Sequence, residues 1–236
     1  MSLVHGNNQI VTSGLVLYLD AGNPKSYSGS GTVWNDLTGN NRNFTWDSTP
    51  TFTSSGLASY FSTNGKKCTG PASNSFGIDN TSGYTVILVA MQNALIASSA
   101  FKFYSSGGAV SSSVSRGIFS HCTWSDDVVY FDQGGCCNAD TRTSVASGGS
   151  QTWNMWGFRR VTNSSTRHIL KNGVVLATNT NAAANINLTT TGVDLGGTSE
   201  GTTWNAQLNA FLAYNRDLSN DEMVQNFNVI RKRFGL

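Results

Sequence analysis

The sequence predicts an all-β protein: a two-sheet antiparallel jelly-roll sandwich that carries one amphipathic helix at its C terminus. About a dozen short segments rich in β-branched and aromatic residues are separated by turns rich in Gly, Asn and Ser. Only one segment shows the apolar spacing of an amphipathic helix. The length of 236 residues suits a single jelly roll.

The strongest strand signal is the apolar, β-branched run YTVILVAM at residues 84–91. Because nearly every position is apolar, we expect this strand to lie centrally, covered on both faces. Asn172-Gly173, between two alternating runs, is a strong hairpin signal. The other predicted strands are residues 14–20, 43–46, 58–62, 117–122, 128–132, 153–162, 166–171, 192–196 and 207–214.

A capping box predicts where the helix begins. Ser219 is placed to cap the first turn, and Glu222 follows three residues later. The apolar positions beyond it are spaced by four, three and four residues: Met223, Phe227, Ile230 and Phe234. This pattern predicts an amphipathic helix over residues 219–234 that docks on the sandwich.

The chain is predicted to form one domain over residues 13–236, preceded by an N-terminal arm of residues 1–12. It contains neither a low-complexity linker nor an internal repeat of 20–50 residues. Residues 2–12 are polar and unlike a strand of this fold. We expect the arm either to contact a neighbouring chain or to be disordered.

Composition argues against two classes of partner. Only 12% of the residues are charged and the net charge is +2, so nucleic-acid binding is not expected. The one basic run, Arg231–Arg233, is explained by the dipole of the predicted helix. No apolar run reaches the 18 or so residues of a membrane span, and the N terminus lacks a signal-peptide pattern.

The Ser-, Thr-, Asn- and Gly-rich composition nevertheless resembles that of extracellular proteins. A removed signal, a fragment of a longer chain, or release by cell lysis would each explain this.

The four cysteines fit no zinc pattern. A disulfide from Cys122 to Cys136 or Cys137 would cross a hairpin, and it is plausible only in an oxidising compartment. His121 and Cys122 are a possible metal pair, but a zinc-like ion needs four converging ligands, and the other histidines and cysteines are scattered. As a catalytic pair they would point to opposite faces of a strand and could not meet without a bulge.

Four segments resemble laminin-G-like domains of the concanavalin A-like lectin/glucanase superfamily. Residues 14–44 are similar to an opening "G-L-V-L-x-L-D-A … W-x-D-L-(S/T)-G-N", and residues 153–178 to a "W-x-x-W … Y-x-N-G" strand pair. Residues 211–227 resemble a closing "Y-N-R-x-L-S-x-x-E" segment. Residues 121–142 look like a "H-x-x-W-x-D-G-x-x-Y-F-D-x-G" insert, except that Asp127 stands where that insert has a turn glycine. The resemblance runs along the chain in the family's order and implies a concanavalin A-like sandwich.

Members with the LDAGNPKSY opening resemble structural proteins of tailed bacteriophages. The resemblance therefore implies a non-enzymatic virion protein, such as a tail fibre, head fibre or capsid decoration, located on the virion or outside the cell. Such a protein would assemble as a homo-oligomer or with other virion proteins and would contact host-surface glycans. The alternative is a glycan-binding module of a secreted bacterial protein.

A third reading, a carbohydrate-active enzyme, receives little support from the residues. The superfamily's glucanases carry two catalytic glutamates in an E-x-D-x-x-E arrangement. This chain has two glutamates in all, Glu200 in a Gly/Thr/Ser loop and Glu222 in the capping box. We therefore expect no glycosidase activity.

The residues establish no cofactor, but the resemblance makes Ca²⁺ a candidate. Laminin-G-like domains often hold one calcium ion at the rim of the sandwich, with Asp side chains and carbonyl oxygens as ligands. The candidate ligands are Asp126, Asp127 and Asp132, or Asp36 with the Asn-rich turn after it. In the alternative interpretation, these aspartates shape turns by accepting backbone N–H groups.

Three tryptophans in polar surroundings are the candidate sugar-binding residues. Trp46, Trp124 and Trp204 lie near predicted strand ends, and Trp124 is followed by Asp126 and Tyr130. Exposed aromatic faces pack on the C–H surface of a sugar ring while carboxylates accept its hydroxyls. The alternative is that each tryptophan is partly buried with its indole N–H satisfied.

Overall fold

The computed structural model describes residues 9–106, 117–182, 185–199 and 203–236. It contains sixteen described strands and one α-helix: β1 (Leu15–Asp20), β2 (Val33–Trp34), β3 (Phe44–Trp46), β4 (Thr51–Thr53), β5 (Tyr60–Ser62), β6 (Cys68–Ala72), β7 (Tyr84–Gln92), β8 (Phe101–Phe103), β9 (Ile118–His121), β10 (Val128–Gln133), β11 (Arg142–Ala146), β12 (Asn154–Arg160), β13 (Arg167–Lys171), β14 (Val174–Asn179), β15 (Gly192–Leu195), β16 (Ala206–Tyr214) and α1 (Asn220–Ile230).

The strands form two antiparallel sheets. The first has the order β14-β13-β12-β7-β16-β5-β4, with β1 also paired to β16. The second has the order β11-β10-β9-β8-β15-β6-β3-β2. The sheets bury one continuous apolar core between them. The predicted fold class, an all-β two-sheet sandwich with a single C-terminal helix, is confirmed.

The apolar strand β7 lies inside the first sheet, between β12 and β16. Val86 and Leu88 point into the core between the sheets, whereas Ile87 and Val89 point to the opposite face. That face is covered by helix α1, which forms a second, smaller core. The prediction of a central strand buried on both faces is therefore confirmed.

Helix α1 begins as the sequence predicts. The Ser219 hydroxyl accepts from the Glu222 backbone N–H, and the Glu222 carboxylate accepts from the Ser219 N–H at 2.8 Å. The α-helix ends at Ile230, and Arg231–Arg233 continue as a 3₁₀ turn, so the α-helical part is shorter than predicted. Phe234, beyond this turn, stacks on Trp153 with ring centroids 4.1 Å apart.

The described end of the N-terminal arm contacts its own domain. The Val11 N–H donates to the Asn226 side chain at 2.8 Å, and the Tyr214 hydroxyl donates to the Val11 carbonyl at 2.9 Å. Residues 9–12 thus pack against helix α1 and β16 of their own domain, and contact of the arm with a neighbouring chain stays a prediction. Residues 1–8, the rest of that predicted arm, lie outside the described residues.

Two of the tryptophans predicted to face sugars lie in the core. Trp46 is 2% exposed and packs against Phe61 at 4.9 Å between ring centroids. Trp204 is fully buried, and its indole N–H donates to the Cys122 carbonyl at 2.9 Å. The prediction that Trp46 and Trp204 bind glycans is therefore wrong, because neither ring presents a face to solvent.

None of the helices in the described part of the chain is long and apolar enough to cross a membrane.

Candidate functional site

A cavity of about 230 Å³ opens on the outer face of the second sheet, over β9, β10 and β11. Val129 and Phe131 of β10 point into the core, so Tyr130 between them points outward. The lining residues are His121, Trp124, Asp126, Tyr130, Cys137 and Arg142. The structure therefore brings together three of the five predicted glycan-binding residues: Trp124, Asp126 and Tyr130.

Aromatic rings form one wall of the cavity. The His121 ring is buried and meets Trp124 edge-on, with centroids 4.6 Å apart. Tyr130 lies 6.1 Å from the same histidine. Because Trp124 and Tyr130 are only half-buried, apolar ring surface faces the cavity beside polar atoms.

The turn between β9 and β10 positions Trp124. The Trp124 N–H donates to the Val128 carbonyl at 3.0 Å, and the Asp127 N–H donates to the Trp124 carbonyl at 3.1 Å. Asp127 has φ +59°, so it adopts the left-handed conformation that a glycine would take at this place. Its carboxylate accepts from the hydroxyls of Ser147 and Ser150 at 2.6 and 2.8 Å. The aspartate thus replaces a turn glycine and also fixes the turn to a neighbouring loop.

A tyrosine–aspartate pair supplies the polar wall. The Tyr130 hydroxyl donates to the Asp126 carboxylate at 2.7 Å, and the Val128 N–H donates to the other carboxylate oxygen at 3.0 Å. The hydrogen bond from Tyr130 lowers the pKa of Asp126, and the same bond raises the pKa of Tyr130. Asp126 is exposed and therefore presents a charged acceptor to a ligand.

Arg142 closes the side of the cavity that faces β11. Its Nε and Nη2 atoms donate to the two carboxylate oxygens of Asp132 at 2.6 and 2.7 Å. Its guanidinium also covers the Tyr130 ring, at 4.4 Å from the centroid. The bidentate pair compensates the arginine charge and holds the guanidinium in one orientation.

The loop after β10 contains a disulfide whose pairing differs from the one that the sequence predicts. Cys136 and Cys137, which are adjacent in the chain, are bonded to each other, and Cys137 reaches the cavity rim. Cys122 is a free thiol in the core, where burial raises its pKa. The predicted bridge from Cys122 to Cys136 or Cys137 is therefore wrong, because Cys122 points inward while both partners lie in the outer loop.

The predicted calcium ligands do not converge. Asp132 is buried against Arg142, Asp127 accepts from serine hydroxyls, and Asp126 accepts from Tyr130. Asp36 accepts from the N–H groups of Tyr18 and Thr38, as the turn-shaping interpretation requires. Among the described residues, no group of three or more His, Cys, Asp or Glu side chains is arranged to hold a metal ion. The calcium site predicted at Asp126, Asp127 and Asp132 is therefore wrong, whereas the alternative site at Asp36 and the turn after it stays a prediction.

Glu222, one of the two glutamates, is committed to the capping box and to an ion pair with Arg216 at 2.6 Å. Glu200 lies outside the described residues.

Three lining residues were not predicted as ligand-binding residues: His121, Cys137 and Arg142. His121 could have been found from strand parity, since it stands opposite Tyr130 in the pairing of β9 with β10. Arg142 belongs to the polar segment RTSVA, which gives a weak strand signal. Its position follows from the register that pairs it with Asp132, and this register is not readable from one sequence.

A larger cavity of about 580 Å³ lies between the N-terminal arm, β1 and helix α1. Its lining includes aliphatic side chains such as Ile10, Leu15 and Val229. Its described lining contains one aromatic residue, Tyr18, and one charged residue, Lys25, so it offers no carboxylate acceptor like that of the cavity over β9–β11.

Comparison with solved structures shows what this fold is similar to. The binding domain of botulinum neurotoxin DC in complex with SialylT superposes with a TM-score of 0.65 at 12% identity, over 93% of this chain and 52% of that one. Trypanosoma rangeli sialidase in complex with 2,3-difluorosialic acid gives 0.65 at 14% identity, over 93% and 33%. Domain 4 of AbnA, a GH43 extracellular arabinanase from Geobacillus stearothermophilus, in complex with arabinotriose, gives 0.63 at 13% identity, over 91% and 98%.

The chain thus spans about half of the neurotoxin binding domain and a third of the sialidase. No protein-family model and no curated protein sequence matches the chain. At these identities the comparisons establish a shared β-sandwich fold.

Proposed function

We propose that this protein is a glycan-binding module and that it binds a sugar in the cavity over β9–β11. The observation that carries the proposal is the half-buried Trp124 ring beside the Asp126–Tyr130 pair. An aromatic face packs against the C–H surface of a pyranose, while a fixed carboxylate accepts its hydroxyls. The same arrangement offers neither a metal site nor a charged clamp for phosphate among the described residues.

The solved structures support the proposal through their ligands. The neurotoxin domain, the sialidase and the arabinanase domain were solved with SialylT, 2,3-difluorosialic acid and arabinotriose, respectively. Of these, AbnA domain 4 is matched over 98% of its length, so its arabinotriose complex is that of a chain made almost wholly of this fold, whereas only a third of the sialidase chain is matched. Fold alone does not assign function.

The finer predictions from sequence remain proposals. They are a non-enzymatic role, location on a virion or outside the cell, and assembly into a homo-oligomer or with other virion proteins. A glycan-binding module of a secreted bacterial protein would use the same cavity.

The proposal is tested by binding of the purified protein to a broad glycan array, followed by titration of the glycans that bind. Trp124→Ala should weaken binding at least about tenfold, which corresponds to ~1.4 kcal/mol of binding free energy. Trp153→Ala is the matched control, because Trp153 is also partly exposed but stacks on Phe234, outside the cavity. An empty array, or equal binding by wild type and Trp124→Ala, would overturn the proposal.

A further inference from the structure

A second depression continues from the cavity along the seam between the two sheets. It has a volume of about 430 Å³ and shares Arg142 with the cavity. Strand β11 is an edge of the second sheet and β14 is an edge of the first, so the depression runs between two strand edges. The Asn179 side chain joins these edges by donating to the carbonyls of Ala139 and Arg142 at 2.7 and 2.8 Å. We call this depression the seam groove.

The lining of the seam groove is suited to bind a ligand that carries hydroxyl groups. Its lining is dominated by hydroxyl and amide side chains, and the exposed ones are Ser144, Thr178, Thr180 and Asn181. Such groups donate and accept hydrogen bonds at every position, as the hydroxyls of a sugar do. The aromatic cavity and the polar groove therefore offer different surfaces, the first for a ring face and the second for ring edges.

The two volumes indicate how much ligand the surface accommodates. Small-molecule sites usually measure roughly 300–1,000 Å³. The cavity of about 230 Å³ falls below this range and suits a single sugar ring, whereas the seam groove of about 430 Å³ has room for further units. Since Arg142 lines both, a chain of sugars can cross from one to the other without leaving the surface.

The charges of the lining disfavour an acidic ligand. Among the described lining residues the charged side chains are Asp126 and Arg142, and His121 and Tyr130 are further titratable groups. The positive charge of Arg142 is already compensated by Asp132, whereas Asp126 presents an exposed carboxylate. A ligand carboxylate would therefore meet a like charge, and like charges placed together at an interface select against a partner.

We infer that the ligand is an uncharged oligosaccharide of at least two units, with one ring on Trp124 and the next in the seam groove. This inference rests on the proposed function. It differs from what the SialylT and sialic acid complexes of the similar structures would imply, because those ligands are acidic sugars.

The test titrates wild-type protein with neutral trisaccharides of glucose, galactose, mannose and arabinose, with the corresponding monosaccharides, and with sialyllactose and trigalacturonic acid. At least one neutral trisaccharide should bind tenfold or more tighter than its own monosaccharide. Both acidic probes should bind tenfold or more weaker than that trisaccharide, and Asp126→Asn should reduce this difference.

A variant that fills the groove tests the second site separately. Ser144 is exposed, stands opposite Tyr130 in the β10–β11 pairing, and lines the seam groove. Ser144→Tyr should abolish the preference for the trisaccharide over the monosaccharide. Ala146→Tyr is the matched control, because Ala146 is exposed on the same strand but lines neither depression.

The outcomes separate this inference from the proposed function. Equal affinity for mono- and trisaccharide, or sialyllactose binding as tightly as the best neutral probe, would overturn the inference and leave sugar binding intact. Failure of every neutral and acidic sugar to bind wild type would overturn both.

Discussion

The guanidinium carbon of Arg142 lies 4.4 Å from the centre of the Tyr130 ring, so a cation covers one face of the tyrosine. The same ring directs its hydroxyl to Asp126 at 2.7 Å. Residues from β10, β11 and the turn between β9 and β10 thereby hold one another in a fixed arrangement before any ligand arrives. Such preorganisation reduces the entropy that binding would otherwise cost.

Tyr130→Phe should separate the contribution of the tyrosine hydroxyl to sugar binding from that of the aromatic ring. The variant keeps the aromatic face but loses the donor to Asp126, so the pKa of Asp126 should rise towards its ordinary value. We expect sugar affinity to fall about tenfold, in line with the ~1.5–3 kcal/mol of a hydrogen bond to a charged group, discounted for exposure. Calorimetric titration measures the affinity, and NMR measures the carboxyl pKa.

The control is Tyr60→Phe, which makes the same change on β5, outside the cavity. Its sugar affinity should equal that of wild type. Wild-type affinity in Tyr130→Phe would show that the oriented carboxylate plays no part in binding.

Removal of calcium should leave the protein unchanged. Asp126, Asp127 and Asp132 are each held by a different partner, and no group of three or more acidic, His or Cys side chains converges within the described part of the chain. We expect a chelator to change neither the melting temperature nor sugar binding. A melting temperature that rises by several degrees on addition of calcium would contradict this geometry.

The cysteines should fall into two classes in a labelling experiment. Cys68 and Cys122 are buried thiols whose pKa values are raised by burial, so the reactive thiolate is scarce at neutral pH. Iodoacetamide should modify neither thiol in the native protein, both after unfolding, and all four cysteines after unfolding and reduction. A peptide that links Cys122 to Cys136 or Cys137 would contradict the structure.

Strand positions were predictable because they depend on local patterns. The alternation of β9 and β10 and the Asn172-Gly173 turn, with φ values of +53° and +85°, are properties of consecutive residues. Strand β6, with the sequence CTGPA, was missed because Gly and Pro are poor strand formers. Strand β11 was missed because it is mainly polar.

The exposure of each tryptophan was not predictable, because it depends on pairing between distant segments. Trp46 is buried by Phe61 and Trp34, which come from other strands. Trp204 follows a loop and is fixed by the carbonyl of Cys122, 82 residues away. Trp124 remains half-buried because it lies in a turn on the outer face of its sheet. Polar neighbours in the sequence therefore do not distinguish a buried tryptophan from a partly exposed one.

The ion pair at the start of helix α1 should make stability depend on pH. The hydrogen bond from Arg216 lowers the pKa of Glu222 below its ordinary value of 4.5. A carboxyl whose pKa is lowered by folding stabilises the protein above its unfolded pKa, and the contribution is lost as the pH falls through the folded pKa. Glu222→Gln should therefore cost roughly 0.5–1 kcal/mol at pH 7, since both side chains are 29% exposed and partly screened.

This difference should shrink towards zero when both proteins are unfolded by urea near pH 3. Asp221→Asn is the control, because Asp221 lies in the same helical turn and is exposed. A cost of Glu222→Gln that persists at low pH would show that the carboxylate charge is not its source.

A buried ion pair joins the C terminus to the first strand. Arg233 donates to both carboxylate oxygens of Asp20, at 2.7 and 2.8 Å, and the Tyr18 hydroxyl donates to the same carboxylate at 2.6 Å. The side chains of Arg233 and Asp20 are 8% and 2% exposed. Arg233→Met should cost about 3–5 kcal/mol of unfolding free energy, because it leaves a buried carboxylate without its cation. Arg231→Met, the same change at an exposed neighbour, should stay within about 0.5 kcal/mol.

The double variant Asp20→Leu/Arg233→Met separates two quantities: the free energy of unfolding that the ion pair contributes, and the free energy that is lost when only one partner is removed. Replacing both buried charges by apolar groups of similar size is often neutral or stabilising, so the double variant should recover most of the stability that Arg233→Met loses. Urea unfolding with an unchanged m-value gives the comparison. If the double variant is as unstable as Arg233→Met, the lost stability comes from the packing of the aliphatic part of the arginine side chain and not from the unpaired carboxylate of Asp20.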